Sequence, residues 1–85
     1  MNIVFSPKAL TELASYQSQP KLIFKVLELI EDIKKHFFTG KGKPEPLKGN
    51  LKGYWSRRIT DEHRLVYYIE ANDIQIVSCK YHYDD

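Results

Sequence analysis

Apolar residues recur at helical spacing through the first half of the chain and predict two helices. The pair Ser6-Pro7 is typical of a helix start, because serine caps free N–H groups and proline fits the first turn. Leu10, Leu13 and Tyr16 then form a short apolar face. A second helix begins at Pro20, and its apolar stripe comprises Leu22, Ile23, Val26, Leu27, Leu29, Ile30, Ile33 and Phe37. We interpret the stripe as core rather than as a groove for a partner or cofactor.

The second half of the chain has the alternating pattern and the turn residues of β-strands. Glycines and prolines between residues 40 and 46 end the helical order and predict an extended loop. Strands are predicted at residues 2–5, 51–59, 65–70 and 74–81, with short turns at 60–63 and 72–73. Connections this short favour antiparallel neighbours. We therefore expect residues 1–85 to form a single α+β domain of order β-α-α-β-β-β, with two helices on one face of an antiparallel sheet and the other face free.

Alternation along the predicted strands assigns side chains to the two faces of the sheet. The more apolar side should face the helices and carries Trp55, Arg57, Ile59, Leu65, Tyr67 and Ile69. Arg58 and Arg64 then share the open face, where two guanidiniums can hold the oxygens of a phosphate. In the alternative interpretation both arginines pair on the surface with Asp61, Glu62 or Glu70, and spacing alone leaves both interpretations open.

Positive charge is concentrated between residues 41 and 64. This segment has seven bases and three acids, a net charge of +4, whereas the rest of the chain has six bases and eight acids, a net charge of −2. Such a segment favours a polyanionic partner such as nucleic acid, because cations that neutralise phosphates release counterions. Charge alone leaves a solvated basic surface without a partner equally open.

The sequence has no pattern of a membrane or secreted protein. It lacks an apolar run of the roughly 18 residues needed for a span, and residues 1–7 do not resemble a signal peptide. Cys79 is the only cysteine, so no intramolecular disulfide can form, and we interpret it as a small buried hydrophobic residue. We therefore expect a cytoplasmic protein.

Two side chains have the chemistry of a proton acceptor and a proton donor. Glu45 lies between two prolines among three lysines, where a carboxylate can act as a base or can form only weak exposed ion pairs. His82 follows the last strand, and imidazole suits proton donation near neutral pH. His36 and His63 are interpreted as polar surface residues. Cys79 and His82 have a metal-like spacing, but without a second pair of ligands we expect no metal site.

Four segments together resemble the YoeB (Txe) toxins of the RelE/ParE superfamily. They are GKGKPEPLK at residues 40–48, YWSRRIT at 54–60, EHRLVY at 62–67 and YHY at 81–83. The resemblance covers nearly the whole chain, although the front helices match in length and pattern only. It implies a RelE-like fold and the toxin of a type II toxin-antitoxin system. Such a toxin cleaves messenger RNA in the ribosomal A site and is restrained by a YefM-like antitoxin with an acidic C-terminal segment; the resemblance also implies homodimer formation.

The resemblance further implies roles for individual residues in a cleavage that needs no metal and no cofactor. Glu45 takes the proton from the ribose 2′-OH, Arg64 stabilises the charged phosphate, and His82 protonates the leaving 5′-oxygen. The product is a 2′,3′-cyclic phosphate. RNA or phosphate contacts are expected from Lys41, Lys43, Lys48 and Arg58, and substrate positioning from Tyr83.

The main alternative is a non-catalytic module that binds RNA or the ribosome with the same basic face. A ParE-type inhibitor of DNA gyrase is disfavoured, because such relatives are not expected to carry Glu45, Arg64 and His82 together. The chain departs from the family pattern at one place. Similar toxins commonly stop at the tyrosine of YHY, whereas Asp84 and Asp85 follow it here. Acids beside His82 would repel RNA and raise the pKa of the histidine, but we expect this tail to point into solvent instead.

Overall fold

A mixed five-stranded sheet packed with two helices forms the fold in the computed structural model, which describes residues 1–81. In chain order the elements are β1 (Ile3–Phe5), α1 (Pro7–Ala14), α2 (Pro20–Lys35), β2 (Glu45–Pro46), a 3-10 turn (Gly49–Leu51), β3 (Trp55–Arg58), β4 (Arg64–Glu70) and β5 (Asp73–Tyr81). The strand order is β1-β5-β4-β3-β2, with β1 parallel to β5 and the other neighbours antiparallel. The expected α+β class is confirmed. The sheet is mixed rather than wholly antiparallel. Short turns force the later strands to be antiparallel, but β1 and β5 are not joined by a turn, so β1 can pair in the parallel direction.

The first helix begins at the predicted residues and is attached to the sheet there. The Ser6 hydroxyl oxygen accepts a hydrogen bond from the Ala9 N–H at 3.0 Å, which is N-cap geometry. The Ser6 N–H donates to the Ile76 carbonyl at 2.9 Å, and the Ser6 hydroxyl donates to the Val77 carbonyl at 3.2 Å. The start of α1 is therefore bound directly to β5.

The second helix buries only part of its apolar stripe. Its buried residues are Val26, Leu29, Ile30 and Ile33, which cluster with side chains of β4 and β5. The interpretation as core is confirmed for these residues. It is wrong for Leu27, which is 46% exposed because it lies about 100° around the helix from Val26. Leu10 of α1 also lies outside the core and is 53% exposed.

The segment that leads into β3 differs from the predicted one at two places. Glu45–Pro46 pairs with β3 as a short edge strand, although the prolines there predict only an extended loop. The strand predicted at residues 51–59 narrows to Trp55–Arg58. The chain forms a 3-10 turn at Gly49–Leu51, and Gly53 has a φ of +97°, a conformation that favours glycine over any other residue.

Two irregularities in the pairing of β4 with β5 determine where Cys79 lies. They shift the alternation so that Ile76 and Cys79, three residues apart, both face the core. Burial raises the pKa of the Cys79 thiol to about 12, and the Tyr16 hydroxyl donates to the Cys79 carbonyl at 2.7 Å. The interpretation of Cys79 as a buried hydrophobic residue is confirmed.

Candidate functional site

The register of β2, β3 and β4 places Glu45, Arg58 and Arg64 on the open face of the sheet. Glu45 lies opposite Ser56, and Arg58, two residues further along β3, lies opposite Arg64. Side chains two residues apart share a face, so all three lie on the side away from the helices. Directly opposite residues have Cβ atoms about 4.5–5.5 Å apart and diagonal neighbours are roughly 7–8 Å apart. Arg58 and Arg64 are thus direct neighbours and Glu45 is a diagonal neighbour of Arg58, so one carboxylate and two guanidiniums share the same face.

Arg64 is held by the turn that joins β3 to β4. Its Nη1 donates to the carbonyls of Thr60 and Asp61 at 3.1 and 3.2 Å. The turn is itself fixed, because the Thr60 hydroxyl oxygen accepts hydrogen bonds from the N–H groups of Glu62 and His63. Within residues 1–81, Nε and Nη2 of Arg64 make no hydrogen bond. The guanidinium is therefore oriented by one nitrogen and keeps donors for an anion.

The acidic residues near the two arginines do not neutralise them. Within the described part of the chain, neither Arg58 nor Arg64 forms an ion pair, and Glu62 instead contacts His63 at 3.2 Å. The alternative in which both arginines pair with nearby carboxylates on the surface is wrong for this part of the chain. Both guanidiniums keep their charge available on the open face.

Glu45 is an exposed carboxylate on the edge of the sheet, next to this pair of arginines. Pro44 and Pro46 flank it, so its backbone conformation is restricted. Over residues 1–81 it forms no ion pair, since Lys41 binds Glu28 at 3.1 Å instead. The alternative of a glutamate engaged in exposed ion pairs is therefore wrong within residues 1–81.

Of the three predicted lysine contacts, Lys43 and Lys48 flank β2, whereas Lys41 lies against α2, where its Nζ is 3.1 Å from Glu28 Oε2. Lys41 and Lys43 precede β2, and Lys48 follows it. All three are exposed, and Lys43 has a φ of +52°, which is uncommon for a side chain of this type. His82 and Tyr83 lie outside the described residues. The last described residue, Tyr81, lies opposite Arg64.

An aromatic pair on the open face was not singled out from the sequence. The rings of Tyr54 and Tyr68 lie 5.1 Å apart between centroids and are tilted by 49°. They belong to the side of β3 and β4 that also carries Arg58 and Arg64. Aromatic rings beside cations provide stacking surface for bases. The signal was present in the strand alternation, which places both tyrosines on the arginine side.

Arg57 is the second feature that sequence reasoning missed, although the alternation placed it on the helix side. Its side chain is 0% exposed and forms an ion pair with Asp32 of α2 at 2.6 Å. A hydrogen bond from the Lys41 N–H, together with the Arg57 guanidinium, lowers the pKa of Asp32. A charged residue on an apolar face requires such a partner, and this requirement was the available signal.

His63 does not behave as the predicted surface residue. Its side chain is 15% exposed, and its ring lies 5.9 Å from that of Tyr16. The hydrogen bonds of the turn at Thr60 hold this residue beside Tyr16, in the segment that follows α1. His36 is exposed as expected.

Comparison with known proteins identifies the chain. A family model described as "YoeB-like toxin of bacterial type II toxin-antitoxin system" matches residues 5–83. The chain belongs to the YoeB toxin family. It is 46% identical over 84 residues to toxin YoeB of Escherichia coli K12, a match that covers 98% of this chain and 100% of the relative. The resemblance read from the four sequence segments is confirmed.

Solved structures of YoeB toxins have the same fold. A YoeB/ParE toxin from Agrobacterium tumefaciens superposes with a TM-score of 0.93 at 38% identity, over 98% of this chain and 100% of that one. YoeB from Staphylococcus aureus is 49% identical over 98% of both chains. It superposes with a TM-score of 0.91 as a dimer and 0.89 in a heterotetrameric complex with YefM. None of the helices in residues 1–81 of this chain is long and apolar enough to cross a membrane.

Proposed function

We propose that this YoeB-family toxin is an endoribonuclease that cleaves messenger RNA in the ribosomal A site. The observation that supports this best is the common placement of Glu45, Arg58 and Arg64 on the open face, where no ion pair within residues 1–81 occupies them. A carboxylate beside two guanidiniums combines a base with a phosphate site. A toxin that acts on ribosomes works in the cytoplasm, and the cytoplasm is therefore the location that this proposal implies.

The reaction is an internal transfer at one phosphodiester. Glu45 accepts the proton of the ribose 2′-OH, and the 2′-oxygen attacks the neighbouring phosphorus. The bond from phosphorus to the 5′-oxygen breaks, and His82 supplies the proton to that oxygen. The products are a 2′,3′-cyclic phosphate and a free 5′-hydroxyl, so the 2′-oxygen and not water is the nucleophile, and the two proposed proton transfers require no metal ion.

The arginines stabilise the transition state more than the ground state. Charge on the phosphoryl oxygens rises as the 2′-oxygen attacks, and Arg64, already oriented by the Thr60 and Asp61 carbonyls, meets it without reorganisation. Arg58 lies directly opposite Arg64 and contacts the same phosphate or its neighbour. RNA contacts come from Lys41, Lys43 and Lys48, and Tyr83 positions the substrate.

The partner that restrains this activity is an antitoxin of the YefM kind. The S. aureus relative is described in a complex with YefM, and residues 41–64 of this chain carry a net charge of +4 from seven bases and three acids. An acidic segment that folds on binding matches this charge.

Charge reversal at Lys41 and Lys43 is expected to slow association with the antitoxin segment and to weaken the salt dependence of that association. A dimer of this chain, as described for the S. aureus relative, is expected as well.

Mapping of RNA ends on translating ribosomes tests the proposed function. New ends should appear within the A-site codon, and a single 2′-deoxy substitution at the cleavage position should abolish them. A 5′-phosphate on the downstream product, or efficient cleavage of the deoxy substrate, would exclude attack by the 2′-oxygen. Binding to ribosomes without any new ends would favour the non-catalytic alternative.

A further inference from the structure

The five N–H groups of the Arg57 guanidinium all have acceptors inside the protein. These are the Tyr67 hydroxyl at 3.2 Å, Asp32 Oδ2 at 2.6 Å and the carbonyls of Lys41 at 3.1 Å, His36 at 2.6 Å and Thr39 at 2.7 Å. The side chain is 0% exposed. Arg57 therefore has no donor left for a ligand and acts as an internal crosslink.

Asp32 and Tyr67 extend this crosslink along the same loop. Asp32 Oδ2 also accepts a hydrogen bond from the Lys41 N–H at 2.9 Å, and the Tyr67 hydroxyl donates to the Phe37 carbonyl at 2.7 Å. We call Asp32, Arg57 and Tyr67 the Arg57 cluster. From α2, β3 and β4 it holds the backbone of residues 36–41, the loop that leads into β2.

Two glycines allow the loop to approach the cluster closely. A Cβ atom on Gly40 would lie 2.1 Å from Asp32 Oδ2, and one on Gly42 would lie 2.8 Å from Leu29 Cδ2 and 3.1 Å from Arg57 Cβ. Both glycines have positive φ angles, +106° and +81°. The Gly42 carbonyl in turn accepts a hydrogen bond from the Arg58 N–H at 2.7 Å. The loop is therefore seated against the cluster and against β3.

The strand that carries Glu45 is short, and its C-terminal end is held by Leu47, whose N–H donates to the Tyr54 carbonyl at 2.9 Å. β2 contains two residues, and β3 is its one neighbour in the sheet over residues 1–81. Pro44 and Pro46 have no N–H group, so Glu45 supplies the one backbone donor of β2. A strand this short at a sheet edge needs support from the segments on either side.

We propose that Arg57 and Asp32 are positioning residues that place Glu45 for proton abstraction by fixing the loop at residues 36–43. This inference rests on the proposed function and extends it to a side chain that does not touch RNA. Arg57 acts through the loop backbone, whereas its neighbour Arg58 acts on the substrate. A lysine cannot replace Arg57, because an ammonium group has three donors and no planar fork.

The double substitution Arg57→Met with Asp32→Leu tests the proposal without leaving a buried charge unpaired. Replacement of a buried ion pair by apolar residues of similar volume commonly preserves folding. We expect faster hydrogen exchange at the amides of residues 37–43 and a single-turnover cleavage rate about 100-fold lower, the size of effect caused by a displacement of about 1 Å. The ribosome concentration at half-saturation should stay close to that of the wild type.

Combination with Glu45→Gln separates positioning from general structural damage. If Arg57 acts through Glu45, the double substitution should cause little further loss of rate in the Glu45→Gln background. An equal loss in both backgrounds would overturn the proposal, and so would an unchanged rate in the wild-type background. The matched control removes the exposed pair on α2, Lys34→Gln with Glu31→Gln, whose partners lie 2.8 Å apart, and should change neither rate nor exchange.

A milder variant covers the case in which the double substitution does not fold. Tyr67→Phe keeps the buried ring but removes the hydroxyl between Arg57 and the Phe37 carbonyl, so a smaller loss in the same direction is expected. If the wild type cleaves no RNA, the proposed function fails, and hydrogen exchange alone then decides the role of the cluster. Unchanged hydrogen exchange at residues 37–43 in both variants would overturn the proposal that the Arg57 cluster fixes this loop.

Discussion

The two faces of β3 give opposite environments to two adjacent arginines. Arg57 faces the helices, is 0% exposed and is fully hydrogen-bonded within the protein. Arg58 lies on the open face and forms no ion pair within residues 1–81. Residue type alone therefore does not separate structure from function in the motif WSRRIT. The parity of the position along the strand separates them, because it decides which side chain has its hydrogen-bond donors satisfied inside the protein and which lies on the open face.

The largest expected effect is on the open face, at Glu45. Glu45→Gln should lower the single-turnover cleavage rate about 10²–10⁴-fold, because an amide cannot take up the 2′-OH proton. The unfolding temperature should hardly change, since the side chain is exposed. Quench-flow measurement on ribosome-bound messenger RNA, with thermal unfolding in parallel, checks both parts. A rate equal to that of the wild type would remove Glu45 from the reaction.

Alanine variants of Arg57 and Arg58 should differ most clearly in their loss of stability. Arg57→Ala should lower the free energy of unfolding by about 3–5 kcal/mol, because it leaves Asp32 and several carbonyls without their partner. Arg58→Ala should change stability by less than about 0.5 kcal/mol while slowing cleavage. Urea unfolding of both variants is the measurement. Similar losses of stability would contradict the assignment of the two faces.

Much of the fold could be predicted because most helices and strands have local sequence signals. Ser6 and Pro7 mark the start of α1, and strand alternation assigned Arg57 and Arg58 to their faces. The strand at Glu45–Pro46 could not be found in this way, because two prolines argue against a strand and its pairing depends on β3. Its position rests on contacts far along the chain.

The candidate site was likewise predictable where the signal is local and not where it depends on distant contacts. The resemblance of the four segments named Glu45 and Arg64, and the register brings them to one face. The Arg57 cluster was missed because Asp32 and Arg57 are 25 positions apart. Helical spacing alone indicates no partner for Asp32 on β3. His63 was misjudged for a related reason, since its burial depends on a turn that folds it toward Tyr16.

A buried and an exposed position of α2 provide the next test of the contrast between the helix-facing side and the solvent-facing side of the molecule. Ile33→Ala should cost about 2–5 kcal/mol of unfolding free energy, because it removes buried methyl groups and leaves a cavity. Leu27→Ala, at 46% exposure on the same helix, should cost much less. Thermal unfolding of the pair checks the difference. Equal losses would mean that Leu27 is covered in solution, for instance by a second copy of the chain.

The smallest expected effect is the dependence of stability on pH that Asp32 contributes. The Lys41 N–H and the Arg57 guanidinium lower the pKa of Asp32 below its ordinary value of 3.8 in the folded chain. Because the folded pKa is the lower one, ionised Asp32 stabilises the fold above the unfolded pKa, and this contribution is lost as the pH falls through the folded pKa. Between about pH 5 and pH 2 the unfolding free energy of the wild type should therefore fall more steeply than that of Asp32→Asn. Urea unfolding across this range measures both slopes, with Glu31→Gln on the exposed side of α2 as the control. Parallel slopes for the wild type and Asp32→Asn would show that Arg57 does not hold this carboxylate in its ionised form, and the contrast between the two faces of β3 would then rest on burial alone.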